Sequence, residues 1–223
     1  MSLFKSLRVR ASQGSQFIPD LRTAVPKGFR GLPVLGATPC EGGCRACVEA
    51  CPAEKIAFTP EPRMGTSLRD DLVVTEGSAG VTRARASAGF AKVFGRSLKM
   101  RQVSAGGCNA CELELNAVVN VNFDAQRYGI EWVASPRHAD ALVITGPLTR
   151  TMRDAVRLAW DAMPDPRFVV AVGACAISGG LYEGASGVDR SFLEGVGPAL
   201  YVPGCPPHPL TFVNALLDFL GVE

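Results

Sequence analysis

The eight cysteines of this 223-residue chain fall into two groups of four. The C-terminal group, Cys108, Cys111, Cys175 and Cys205, stands in three separate glycine- and proline-rich stretches between apolar runs, written GGCNACELELNA, VGACAISGG and VPGCPPHP. Thiolate is a soft ligand that selects iron-sulfur clusters, zinc and copper(I). Several loops that each bring a thiolate to one point can hold a cluster in which every iron takes one cysteine. Glycines at 106, 107, 173, 179, 180 and 204 open the backbone there, and Pro206, Pro207 and Pro209 stiffen the last loop. The chemistry these residues suit is therefore electron transfer. A buried apolar role is the competing fate of any single cysteine, and four of them in such loops argue against it.

The N-terminal group, Cys40, Cys44, Cys47 and Cys51, is compact and ends in Cys51-Pro52, reading CEGGCRACVEACP. Two metals suit it. Four cysteines make a tetrahedral structural zinc site, which would make the protein an assembly scaffold. The run closing in Cys-Pro favours an iron-sulfur cluster instead, with Cys51 completing the same cluster as Cys40, Cys44 and Cys47.

The elements that must position these residues change at Leu98. Beyond it, short apolar segments alternate with helical patterns, which predicts an α/β sheet with crossover connections. Strands are expected near 100–104, 129–134, 140–145, 167–173 and 199–202, and helices at 112–120, 150–162 and 208–220, the last with Gly221 as its stop. Cys108, Cys175 and Cys205 each follow a predicted strand. Right-handed crossovers bring such loops to one sheet edge, where open α/β sheets gather ligands.

Residues 1–38 read as an extended N-terminal arm, with loop and little core, and residues 39–97 as the first cysteine module and a linker. The linker ends in RARASAGFAKVFGRSLKM, a basic amphipathic helix suited to docking. Residues 98–223 form the main domain.

Composition excludes several classes. With 23 basic against 21 acidic residues, scattered rather than striped, the net charge of +2 gives no nucleic-acid footprint. The most apolar runs, ADALVITG and FVVAVGACA, are strand-length, so no transmembrane span is expected. The N-terminus shows neither a continuous apolar signal core nor a twin arginine, which predicts a cytoplasmic protein. Clustered cysteines there point to metal rather than disulfides.

The runs GGCNACELELNA, FDAQRYGIEWVASPRHADALVITGPLTRTM, VGACAISGG and YVPGCPPHP resemble the small subunit of group 4 energy-converting, membrane-bound nickel-iron hydrogenases, including the formate hydrogenlyase type. That domain is homologous to the 20 kDa cluster subunit of respiratory complex I. The resemblance covers about residues 98–220. Complex I subunits have two adjacent cysteines where Asn109 and Ala110 here separate Cys108 from Cys111, the hydrogenase-like spacing.

The resemblance implies a flavodoxin-like domain whose Cys108, Cys111, Cys175 and Cys205 bind the proximal 4Fe-4S cluster. The nickel-iron centre belongs to a large-subunit partner, not to this chain. Glu114 takes the family's acid position, as a proton relay or an orienting group; a helix-start acid complementing the dipole is the plain alternative, and Glu112 shares that ambiguity. Arg137 and His138 match a loop expected to contact the large subunit, and His208 reads as a helix-start residue.

CEGGCRACVEACP resembles a bacterial ferredoxin motif, although Cys40 and Cys44 are separated by three residues, Glu41, Gly42 and Gly43, rather than two. Its surroundings resemble a shortened form of the ferredoxin-type subunit that accompanies these hydrogenases, which implies a fusion. The expected function follows: two 4Fe-4S clusters passing electrons between a soluble donor and a hydrogenase large subunit, active only in complex. Other iron-sulfur and membrane subunits would hold the chain peripherally on the inner face of the cell membrane. The alternatives are the equivalent subunit of a complex I-like quinone or sulfur reductase lacking nickel, and the zinc scaffold.

Overall fold

In a computed structural model of the chain, the structure describes residues 3–13, 17–37, 55–77, 80–95 and 97–222. All four cysteines of the N-terminal group lie outside the described residues.

The main domain is a five-stranded sheet of β3 (Leu98–Ser104), β4 (Ile130–Trp132), β5 (Ala141–Thr145), β6 (Phe168–Val172) and β7 (Leu200–Val202). All neighbours pair in parallel, in the order β4-β3-β5-β6-β7. Numbered within the domain this is 2-1-3-4-5, the flavodoxin-like order, with its switch point between β3 and β5. Each expected strand is present. Every residue of β5 and β6 is buried, as a sheet covered on both faces requires.

Alternate side chains feed two layers. Leu98, Met100, Val143, Val170, Leu200 and their same-face neighbours pack with α3 (Ala110–Ala117) and α7 (Pro209–Leu220). On the other face, Leu142, Ile144 and Val169 meet α4 (Arg150–Asp161) and α6 (Ser191–Val196). Two short helices lie outside the expected set, α5 (Ala174–Ser178) and α6. Neither is long enough to show a helical period in the sequence.

Eleven of the twelve residues of α7 are buried. A helix apolar all round must be covered on every side, and the N-terminal third of the chain supplies the cover. Leu21 is fully buried in the same core as α7. Arg22 donates to Asn214 Oδ1 (2.8 Å) and pairs with Asp218. Asn214 Nδ2 in turn donates to the carbonyls of Leu21 and Leu210, both at 2.9 Å. At Gly65 a Cβ would stand 2.4 Å from that of Ala215, so only glycine permits this approach. Thr66 then bridges Tyr201 of β7, and Ala86 N–H donates to Phe219 O at 2.7 Å.

The arm expected to be loop with little core thus contributes core. It also contains a helix, α1 (Leu3–Gln13). The expected basic amphipathic helix is present in shortened form as α2 (Ala88–Phe94), capped by Ser87. Its Phe90 and Phe94 pack on Phe168, with Phe90 also edge-on to Phe219, so its apolar face is spent inside the chain. A separate antiparallel ribbon pairs β1 (Pro33–Leu35) with β2 (Ile56–Phe58), and Gly36 N–H donates to Lys55 O at 2.7 Å. The chain that carries the N-terminal cysteines leaves and re-enters at this ribbon.

Candidate metal centre

Three loops at the carboxyl ends of β3, β6 and β7 carry the C-terminal cysteines, and glycine contacts fit the loops together. After β3, Ala105 N–H donates to Thr145 O (2.7 Å), and a Cβ at Gly107 would meet Gly146 Cα at 3.0 Å. The loops that follow β3 and β5 therefore touch backbone to backbone at the switch point. Cys108 follows at once. Asn109 takes a left-handed conformation (φ 69°), and α3 begins with Cys111 in its first turn.

After β6, Gly173 adopts φ 85° directly beneath that helix: a Cβ there would lie 2.6 Å from Cys111 Sγ. Only glycine lets α3 and α5 approach with a thiol between them. Cys175 sits in α5, with Gly180 packed against its Sγ less tightly, at 3.1 Å for a built Cβ. Gly173 N–H and Ala174 N–H donate to Val202 O (2.9 Å) and Gly204 O (2.8 Å), which ties the third loop to the second. That loop presents Cys205, followed by cis-Pro206.

Cys111 and Cys175 are half-buried, whereas Cys108 and Cys205 are exposed. The set is electrostatically coupled. Burial pushes the Cys111 thiol up to about 12, helped by Glu112 and then by Cys175, Cys108 and Cys205. Burial likewise raises Cys175, with Cys205 and Cys108 adding to it. Burial and the neighbouring thiols thus both favour the protonated form of Cys111 and Cys175.

Among the described residues no three Cys, His, Asp or Glu side chains converge on a single metal ion. Four thiolates around one tetrahedral ion at ~2.3 Å would lie about 3.8 Å apart. A cluster asks for a wider set, because each thiolate binds a different iron. Soft donors, glycine-cleared space and an opening to solvent fit a cluster.

Beneath the loops lies Glu112, 7% exposed, whose Oε1 accepts from Thr145 Oγ1 at 2.5 Å. Burial alone would raise this carboxyl. Hydrogen bonds from Ser104, Thr145 and the backbone outweigh it and hold the pKa below the ordinary 4.5. Glu114 is half-buried, and its charge acts on His208. His208 is the cap of α7, its Nδ1 accepting from Leu210 N–H at 3.1 Å, as its position before the helix suggested.

Arg137 and His138 are not brought to this edge. They lie in a short turn (Pro136–His138) ahead of β5, at the opposite end of the sheet, roughly 15 Å of strand away. Thr145 was not legible as a site residue, because it ends an apolar strand and carries no motif.

Comparison with known proteins completes the picture. Residues 108–219 match the family described as the NADH ubiquinone oxidoreductase 20 kDa subunit. The chain is 37% identical over 161 residues to formate hydrogenlyase subunit 7 of Escherichia coli K12, across 72% of this chain and 61% of that one. It is 38% identical over 127 residues to the probable membrane-bound hydrogenase subunit mbhJ of Pyrococcus furiosus, across 56% of this chain and 75% of that one. Among solved structures it resembles a chain of the membrane-bound sulfane sulfur reductase, an archaeal respiratory membrane complex. There the TM-score is 0.52 and the identity 26%, covering 61% of this chain and 75% of that one.

Proposed function

We propose that this chain, which belongs to the family of the 20 kDa subunit of NADH ubiquinone oxidoreductase, is the electron-transfer subunit of a membrane-associated hydrogenase complex. It is a subunit of an oxidoreductase assembly rather than an enzyme that turns over alone. The observation that supports this reading is that the loops after β3, β6 and β7, which carry Cys108, Cys111, Cys175 and Cys205, are fitted together at the carboxyl edge of the sheet through Gly173, Gly204 and their backbone hydrogen bonds. In this reading Cys108, Cys111, Cys175 and Cys205 hold the proximal 4Fe-4S cluster. When bound, that group supplies one-electron redox chemistry.

The residues around it have separate tasks. Gly173 clears the space that lets Cys111 and the second loop share one centre. Glu112, kept ionised by Ser104 and Thr145, fixes the first turn of α3. Glu114, half-buried beside His208, is the proton-relay candidate. Leu113 and Leu181, 63% and 96% exposed, flank the cysteine edge and offer an apolar rim to a large-subunit partner bearing the nickel-iron centre.

The N-terminal module belongs to the same proposal. Cys40, Cys44, Cys47 and Cys51 would hold a second 4Fe-4S cluster that receives electrons from a soluble donor. The domain plan is an arm over 1–38, a cluster module and linker over 39–97, and the proximal-cluster domain over 98–223. Among the described residues no helix is long and apolar enough to cross a membrane. Partner subunits would therefore hold the chain at the inner membrane face.

A second reading, a complex I-like or sulfur-reducing complex without nickel, is favoured by the likeness to the sulfane sulfur reductase. The separated pair Cys108 and Cys111 favours the hydrogenase. Metal analysis of the complex recovered anaerobically with this chain as bait decides between them. The hydrogenase reading predicts nickel in near-equal amount to the chain, with abundant iron. Iron without nickel would move the assignment to the second reading.

A further inference from the structure

Arg190 lies fifteen residues beyond Cys175, in a loop with no motif, yet its guanidinium reaches back to the helix that carries that cysteine. Nη1 donates to the carbonyl of Cys175 itself (3.2 Å), and Nη2 donates to those of Ala176 and Ile177, both at 2.9 Å. Helix α5 has only five residues and stops at left-handed Gly179, so its last carbonyls have few intrahelical donors. The planar fork of one arginine bonds three of them: those of Ala176 and Ile177, and that of Cys175, which also accepts from Gly179 N–H at 2.8 Å.

The turn that carries the arginine is itself held. Asp189 accepts from Ser191 N–H (3.1 Å), Ser191 Oγ (2.6 Å) and Arg153 Nη1 (3.1 Å), and its own N–H donates to Leu148 O at 2.9 Å. Among the described residues no carboxylate forms a salt bridge with Arg190. Glu194 and Glu183 act on it from further out, while Arg69 adds a second positive charge nearby. Arg69, Arg190 and Tyr201 share the lining of one small cavity behind α5.

We propose that Arg190 is a positioning residue for the cluster site, fixing Cys175 through the α5 carbonyls and carrying a permanent positive charge onto that short helix, one hydrogen bond from the Cys175 carbonyl. This rests on the cluster reading given above. A cluster that accepts one electron gains one negative charge, so a fixed cation close by favours the reduced form and raises the reduction potential. A purely structural clamp would leave the potential where it is.

The test is a redox titration, followed by electron paramagnetic resonance, of the complex isolated anaerobically with wild-type chain, Arg190→Gln, Arg190→Lys and Cys175→Ser. The proximal signal is the one lost in Cys175→Ser. Arg190→Gln removes the charge and is expected to leave about tenfold less reduced cluster at a given potential, a downward shift of about 59 mV for one electron. Arg190→Lys keeps the charge without the fork, so its midpoint stays near wild type while its line shape broadens.

A wild-type midpoint in Arg190→Gln overturns the proposal. Should that variant not fold, Arg190→Lys decides: an unbroadened line at the wild-type midpoint shows that the fork positions nothing, and a midpoint lowered as far as loss of charge predicts removes the electrostatic role. If Cys175→Ser loses no signal in the first place, the cluster reading fails rather than the role of Arg190.

Discussion

At the scale of single residues, His208 shows how a side chain outside the cysteine set serves the loop that carries Cys205. Its Nδ1 must be unprotonated to accept from Leu210 N–H and cap α7, three residues after Cys205. Burial, only partly offset by Glu114, lowers its pKa below the ordinary 6.5. The unfolded chain therefore takes up a proton at a higher pH than the folded one does. The contribution of this residue to stability is complete above pH 6.5 and is lost as pH falls from there through the lower folded value. Thermal melts between pH 8 and 5 should show this decline in the wild type, and His208→Asn, which caps without titrating, should remove that part of it. An identical pH dependence in both proteins would refute the role. The capping role was legible because His208 precedes proline and a helical apolar run. The clash that makes Gly173 indispensable was not, because a Cβ meets Cys111 Sγ only once two distant loops are brought together.

At the scale of elements, α7 explains why the N-terminal third folds as it does. Its sequence, HPLTFVNALLDFLG, has almost no polar face, and a single sheet can cover only one side of it. Leu21, Gly65 and Ala86 close the other side, and Asn214 locks the register by bonding Leu21 O and Arg22 together. Leu21→Ala should cost about 2–5 kcal/mol in urea unfolding, as for other fully buried leucines. A cost under about 0.5 kcal/mol, the range of surface changes, would mean that the arm is not part of the core. The sequence carried half of this relation. The all-round apolar helix was readable, but Leu21 stands alone between polar and proline residues, and nothing local marks its partner. The strands were legible for the opposite reason: ALVIT and FVVAV are continuous apolar runs bounded by Gly146 and Gly173. Helices α5 and α6, at five and six residues, have too little length to display a period.

At the scale of the whole molecule, the chain joins two cysteine groups through one continuous scaffold. The ribbon of β1 and β2 brackets the segment with Cys40, Cys44, Cys47 and Cys51, while Leu21 and Arg22 before it and Gly65 and Thr66 after it dock on the five-stranded domain. In the proposed path, electrons enter at the N-terminal group and reach the 108–205 group within a single polypeptide. Potentials, not connectivity, set the direction. The chain spans 61% of the length of formate hydrogenlyase subunit 7. Which residues assemble at the carboxyl edge could be read from the cysteine spacing and the strand order. How the site is supported, through Thr145, Glu112 and Arg190, depends on loops that meet only in three dimensions.

The central claim is that the C-terminal thiols hold one cluster and the N-terminal thiols another. The most direct measurement is iron and sulfide content, with electron paramagnetic resonance of the reduced protein, for the full anaerobically purified chain and its Cys175→Ser variant. The account predicts two overlapping signals in the wild type, with one signal and about half of the iron lost in the variant. Unchanged iron and an unchanged spectrum in the variant would contradict it.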